Sequence, residues 1–151
     1  MGRFPTGVCV VALETSEGQI AAMTINSFVS VSLEPLLVCW SLHNSSARFD
    51  LFATAERFTI SILASDQGDH ALAYASRAEH SVRDGDFEMS AKGLPTIKGA
   101  LATFDCRLFD SRPAGDHTMI LGEVNGLSGT PKEGARALGF YGGEFIGVPE
   151  G

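Results

Sequence analysis

The sequence predicts a mainly β fold, an antiparallel barrel, closed or split, with two short helices. Three observations carry the prediction. Short apolar runs with period-two alternation recur along the chain, as where Phe58, Ile60 and Ile62 alternate with Thr59 and Ser61. Clusters of turn-forming residues separate these runs. Strands and helices do not alternate over long stretches, and no G-x-G-x-x-G motif follows the first strand, which disfavours a doubly wound α/β sheet. A length of 151 residues favours one compact domain over 1–151.

The elements follow in order. Residues 7–13 read as a buried strand through Val8, Cys9, Val10, Val11 and Ala12. Residues 19–25 are its hairpin partner across the turn Glu14-Thr15-Ser16-Glu17-Gly18. Residues 36–42 form a third strand, and 57–63 a fourth with its apolar set on one face. Residues 46–54 read as a helix with Phe49, Phe52 and Ala53 on one face and Ser45 or Ser46 as N-cap. Residues 65–76 read as a second helix, capped by Ser65 or Asp66, with Leu72, Ala75 and Ala71 as its apolar positions. Residues 77–99 turn polar and glycine-containing, and read as a long, partly mobile loop. In residues 101–109, Ala102, Phe104, Cys106 and Leu108 stand opposite Thr103, Asp105 and Arg107. Residues 117–125 continue the pattern, and 137–146 carry a last strand broken by Gly142 and Gly143.

Bulk properties narrow the function. A formal net charge of −7 argues against a broad nucleic-acid footprint, which requires clustered Lys and Arg. No run of 18 apolar residues predicts a membrane span, and the N-terminal residues lack the apolar stretch of a secretory signal. Cys9, Cys39 and Cys106 each sit alone in an apolar run, which predicts reduced, buried thiols and a cytoplasmic protein.

The richest segment is Thr24-Ile25-Asn26-Ser27-Phe28-Val29-Ser30-Val31-Ser32-Leu33-Glu34, closed by Pro35. It is dense in hydroxyls and amides and holds no catalytic acid, base or metal ligand. Such a surface suits a polar ligand that performs its own chemistry. A second segment, Trp40-Ser41-Leu42-His43-Asn44-Ser45-Ser46-Ala47-Arg48, leaves a strand and opens a helix. Helix-terminal amides, serine hydroxyls and one Arg make an anion site. Among the histidines, His117 follows Gly115-Asp116 at a strand start, where it would face a cleft. His43, His70 and His80 lack partners at ligand spacing and read as surface residues. Asp84, Asp86 and Glu88 read as a solvated acidic loop, since their spacing falls short of a calcium loop.

Four motifs occur in matching order and spacing with a known family: Phe4-Pro5-Thr6-Gly7-Val8, Met23-Thr24-Ile25-Asn26-Ser27-Phe28, Ser30-Val31-Ser32-Leu33-Glu34-Pro35 and Gly115-Asp116-His117. Together they resemble the short-chain flavin reductases, whose fold is an FMN-binding split β-barrel, antiparallel and Greek-key-like with a few short helices. The resemblance implies an NAD(P)H:flavin oxidoreductase. Hydride passes from NADH or NADPH to FMN or FAD, and reduced flavin goes to a partner monooxygenase. It also implies a homodimer. Thr24, Asn26 and Ser27 are then expected at the ribityl chain and ring edge, with Ser41 near the ring system. Ser46 and Arg48 are expected at the flavin phosphate, supported by Asn44 and Ser45. His117 is expected on the nicotinamide side, oriented by Asp116. A cluster for a 2′-phosphate is sought among Arg77, Arg83 and Lys92.

The chain departs from the family pattern twice. Relatives carry a helix before the Phe-Pro-Thr-Gly segment, whereas Met1 stands three residues ahead of Phe4. Relatives often end in a Tyr-Arg-Gly-type segment, where this chain has Phe140-Tyr141-Gly142-Gly143-Glu144-Phe145. Two rival readings stand beside the reductase: a flavin-binding or carrier module without turnover, and the same barrel holding another cofactor such as haem, a deazaflavin or pyridoxal phosphate.

Overall fold

The computed structural model describes residues 2–76, 82–129 and 133–148. Its main sheet has seven strands: β2 (Cys9–Glu14), β3 (Ile20–Ile25), β4 (Val29–Leu33), β5 (Leu36–His43), β6 (Arg57–Ile62), β9 (Ala102–Ala114) and β10 (His117–Ser128). Their order is β3-β2-β6-β9-β10-β5-β4, and every pairing is antiparallel. Two small sheets complete the structure. One contains β1 (Thr6–Gly7), β11 (Leu138–Tyr141) and β12 (Glu144–Gly147); the other is a hairpin of β7 (Phe87–Met89) and β8 (Pro95–Ile97). Two short helices, α1 (Phe49–Ala53) and α2 (Gly68–Ala73), lie between strands.

The connection between β3 and β4 dictates the shape. These strands lie at opposite edges of the sheet, yet Ile25 and Val29 are joined by only four peptide steps. Four steps of 3.8 Å reach at most ~15 Å. Seven flat strands at ~4.8 Å spacing would hold the edges roughly 29 Å apart. The sheet must therefore curl until its edges approach without pairing, which is a split barrel. Asn26, Ser27 and Phe28 bridge the split.

Two apolar clusters hold the barrel. Residues 8–13 feed both by strict alternation: Cys9, Val11 and Leu13 join Trp40, Phe52, Phe58, Ile60 and Ile120, while Val8, Val10 and Ala12 join Leu63, Tyr74, Ile97 and Leu138. Trp40 meets Phe52 and Phe58 edge-on at ring distances of 6.0 and 6.1 Å. All three cysteines are free and buried, as expected. Burial pushes the Cys9 thiol up to about 12.

Three expectations need correction. The stretch read as a loop carries the β7–β8 hairpin, with Leu94, Thr96 and Ile97 buried. Consequently the polar face of β6 does not meet solvent. Thr59 donates its hydroxyl to the Pro95 carbonyl at 2.6 Å, and the Ser61 hydroxyl accepts the Ile97 N–H at 3.1 Å. Asp105, on the expected solvent face of β9, is 3 % exposed and accepts the Ser90 hydroxyl at 2.7 Å. Second, both helices begin three residues later than the sequence suggests and lack a side-chain cap hydrogen bond. Third, Ala71 is the buried apolar residue of α2, and Leu72 is 64 % exposed. Among the described residues no helix is long and apolar enough to cross a membrane.

Candidate functional site at the split of the barrel

Asn26 and Ser27 of the bridge between β3 and β4 line two adjoining clefts. The first, of about 220 Å³, is polar: Thr24, Asn26, Ser27, Ser41, Ser46 and Ser76 contribute hydroxyls and an amide, and His43 and His117 close one end. The second, of about 710 Å³, is mostly apolar, with Phe4, Met119, Phe140 and Ala114 in its walls. Asn26, Ser27, Ser41 and His117 line both clefts and so form the ridge between them. This puts residues from β3, β5 and β10 at one place. β5 pairs with β10 in register, so that the last residue of one strand, His43, faces the first of the other, His117.

Several of the expected residues are held by bonds that define their role. Thr24 lies in the polar cleft, but its hydroxyl donates to the Ala71 carbonyl at 2.7 Å and its N–H to the Tyr74 carbonyl at 2.9 Å. It anchors α2 to the barrel edge and keeps only acceptor capacity for a ligand. The Ser27 hydroxyl accepts the Ser41 N–H at 2.9 Å. Asn26 is exposed at the mouth of both clefts. Ser46 is buried at the far wall of the polar cleft, and its hydroxyl accepts the Arg48 N–H at 3.3 Å.

Of the residues expected at the start of α1, Ser46 lines the polar cleft, while Arg48, Asn44 and Ser45 line neither cleft. α1 has five residues and Arg48 is its N-cap. Arg48 is 8 % exposed, lines neither cleft, and donates to the Ala22 carbonyl. The physical reason is that β3 is a sheet edge whose outward carbonyls lack a strand partner, and the guanidinium meets one of them. Asn44 and Ser45 also stay out of the clefts. Asn44 ties β5 to the β9–β10 turn: its N–H donates to the Asp116 carbonyl at 2.9 Å, and its Oδ1 accepts the Thr118 hydroxyl at 2.9 Å. The Ser45 N–H donates to His43 Nδ1 at 3.1 Å.

His117 stands where the sequence places it, with its Nδ1 2.7 Å from Asp116 Oδ1. The His117 hydrogen bond, together with its charge, holds the Asp116 carboxyl below its ordinary range. His43, read as a surface residue, instead packs against it at a ring distance of 4.7 Å. The signal for this was present: an antiparallel pairing of the third strand with the strand starting at 117 brings those two ends together.

Asp86 is the second residue that the sequence reading missed. Its side chain is 13 % exposed, not solvated, and accepts from the Tyr74 hydroxyl at 2.6 Å and Arg83 Nε at 2.7 Å, with His70 Nε2 at 3.5 Å. Burial pushes its carboxyl up, but the Tyr74 and Arg83 bonds and the nearby His70 outweigh this and hold it below the ordinary carboxylate range. Arg83 Nε is thereby engaged with Asp86. Lys92 sits beside Gly93 and Leu94, which line a separate cleft with the β2–β3 turn at the opposite end of that hairpin. Arg77 and His80 lie outside the described residues. Among the described residues no cluster of metal-ligating side chains occurs.

Comparisons with known proteins agree with this geometry. The model of the flavin reductase-like domain matches residues 1–149. The chain is 46% identical over 145 residues to the FMN reductase (NADH) SmoA of Agrobacterium fabrum, covering 96% of this chain and 80% of that protein. It is 34% identical to the NADH-dependent flavin reductase StyB of Pseudomonas fluorescens, covering 97% and 85%. Among solved structures, BorF, the flavin reductase component of a bacterial two-component tryptophan halogenase, superposes with a TM-score of 0.89 at 33% identity, covering 99% of this chain and 94% of that one. The Streptomyces globisporus NADH:FAD oxidoreductase SgcE6, solved with NAD and FAD fragments, gives a TM-score of 0.86 at 33% identity, covering 96% and 86%. A curled antiparallel sheet, a hydroxyl-lined cleft at its split and a family match across nearly the whole chain converge: this chain belongs to the flavin reductase-like domain family.

Proposed function

We propose that this chain is an NADH-dependent flavin reductase, acting on FMN by preference and working in the double cleft at the barrel split. The carrying observation is the ridge of Asn26, Ser27, Ser41 and His117, which adjoins a polar and an apolar cleft at once. The reaction needs two planar rings brought together, one of them attached to a polar chain, and this pair of clefts suits that demand. NADH and FMN are favoured by the names of the relatives SmoA and StyB.

The residues present fit a flavin. Neutral hydroxyls and an amide line the polar cleft. The Thr6 hydroxyl, at the wall of the apolar cleft, is buried with no partner among the described residues. An orphaned hydroxyl at a cleft wall is a hydrogen-bonding group awaiting a ligand. When bound, the flavin supplies the redox chemistry and takes hydride from the nicotinamide.

The protein's own residues bind and orient. Ser27 and Ser41 fix the ridge through their mutual hydrogen bond. Asn26 offers an amide that can donate to or accept from a ring edge, and Ser46 offers a hydroxyl to the polar chain. Phe4, Met119 and Phe140 offer apolar surface to a ring on the apolar side. The Asp116 carboxylate accepts from His117 Nδ1–H, so the neutral ring keeps its lone pair on Nε2. His117 therefore positions the nicotinamide side by ring contact and hydrogen bonding, with no proton transfer required.

We further propose that the enzyme is a homodimer and passes reduced flavin to a monooxygenase component. Relatives include reductase components of two-component monooxygenases. The test is NADH oxidation by the purified protein with FMN, with FAD and with neither. Flavin-dependent turnover, faster with FMN, is expected. Bound flavin without NADH oxidation would instead identify a carrier module.

A further inference from the structure

We infer that His43 is a positioning residue for His117, and that the two imidazoles flank the Asp116 carboxylate in opposite tautomers. The kinetic part rests on the reductase reading; the tautomer part does not.

The geometry comes from strand register. His43 ends β5, His117 starts β10, and the two are direct partners across the ladder. Their rings meet edge to face, at 4.7 Å and 68°. Asp116 faces one nitrogen of each ring. Its Oδ1 lies 2.7 Å from His117 Nδ1, and its Oδ2 lies 3.8 Å from His43 Nε2. The Asp116 side chain is 79 % exposed, but Asn44 ties the backbone of its turn to the end of β5. The Asn44 N–H donates to the Asp116 carbonyl, and Asn44 Nδ2 donates to the Gly115 carbonyl at 3.3 Å.

The bonds assign the protons. A backbone N–H can only donate, so the Ser45 N–H, 3.1 Å from His43 Nδ1, requires a lone pair there. The Ser45 hydroxyl, 2.9 Å from the same nitrogen, can donate to it as well. Neutral His43 therefore carries its proton on Nε2, the nitrogen that faces Asp116. A carboxylate can only accept, so His117 carries its proton on Nδ1 and keeps the Nε2 lone pair. Ser45 thus sets the tautomer of His43, which turns its Nε2–H toward Asp116; Asn44 holds the backbone of the Asp116 turn, and Asp116 sets His117. The stretch Asn44-Ser45 stays out of the clefts yet orients the residue on their shared ridge. Loss of His43 removes a wall of the His117 ring and the second imidazole nitrogen facing the carboxylate, 3.8 Å away.

Ring-nitrogen NMR on the flavin-free protein at about pH 8.5, above the ordinary imidazole range, tests the proton assignment. His43 is expected to appear protonated at Nε2 and His117 at Nδ1. The same tautomer on both rings, or the reverse pair, would overturn the inference whether or not the protein turns over. Steady-state NADH oxidation tests the consequence. His43→Ala is expected to lower kcat about tenfold. His43→Gln, whose side-chain N–H reaches the place of Nε2, is expected to recover most of that loss. Flavin affinity should change less than kcat in both. Equal loss in both variants, or no loss in either, would reject His43 as a positioning residue. If the unmodified protein shows no turnover, the reductase reading fails and the NMR result alone decides the tautomer pair.

Discussion

The Ser27 hydroxyl accepts the Ser41 N–H at 2.9 Å, just beyond the point where β4 and β5 begin to pair at Val29 and Cys39. A side chain here continues a ladder that the backbone has left, and it does so on the ridge between the two clefts. Ser27→Ala would leave the half-buried Ser41 amide without its acceptor. The expected cost is about 1–2 kcal/mol in urea unfolding, with weaker flavin binding in a fluorescence titration. An unchanged unfolding midpoint would mean that water serves the Ser41 amide equally well.

Asn26 is exposed at the mouth of both clefts, so its amide is available to a ligand. Asn26→Leu is expected to raise the flavin Kd about tenfold, the value of one lost hydrogen bond to a ring edge. Stability should hardly move, because the side chain is on the surface. Unchanged affinity would take Asn26 out of the site.

His117→Ala separates binding from chemistry. The ring lines both clefts, but its bond is to Asp116, so the flavin cradle of hydroxyls survives its removal. NADH-dependent reduction in stopped-flow is expected to slow about tenfold, while flavin Kd stays within about twofold. Equal rates in mutant and wild type would remove His117 from the mechanism.

Much of this site was legible in the sequence, and the failures share one cause. Strand alternation located β2, β3, β5, β6, β9 and β10; of the hydroxyl-rich run 24–34, residues 24–27 line the clefts, while Val29–Leu33 form β4 outside them. Alternation assumes one wet face, however. Thr59, Ser61 and Asp105 are polar and buried because the β7–β8 hairpin covers them and supplies their hydrogen bonds. That hairpin was misread because Thr96, Pro95 and Gly93 look like loop residues until their partners on β6 are known. The bond of Arg48 to the barrel is hidden from the sequence for a related reason. A sequence shows that an Arg precedes a helix, but not that a sheet-edge carbonyl at Ala22 waits beside it. His43 and His117 are 74 residues apart, and only the register unites them.

Asp86 offers a pH test of the fold behind the site. It holds Tyr74, whose carbonyl in turn holds the Thr24 N–H. Its carboxyl titrates below the unfolded value, so its stabilising contribution is complete above about pH 4 and is lost as pH falls through the depressed folded value. Asp86→Asn is expected to cost about 1.5–3 kcal/mol at neutral pH, since its bonds are to a charged acceptor. The gap between mutant and wild type should narrow as urea unfolding is repeated at progressively lower pH below about 4. A gap that stays constant with pH would show that the ionised carboxylate is not what stabilises the hub.

The proposed homodimer has a definite surface to test. β4 is an edge strand, and Val29, Val31 and Leu33 project from it at 52, 50 and 87 % exposure, with Leu36 beside Leu33 across the turn. An apolar edge strand left open is a template for association, and single chains ordinarily cover or charge it. A second copy of the chain would bury this stripe next to the clefts, because β4 begins where the Asn26-Ser27 bridge ends. Leu33→Lys places a charge on the most exposed residue of the stripe, where it should cost the folded monomer little. Sedimentation of the wild type is expected to give a dimer and of Leu33→Lys a monomer, with unchanged circular dichroism. A wild-type monomer would refute the dimer itself, and a variant that stays dimeric would move the interface away from β4.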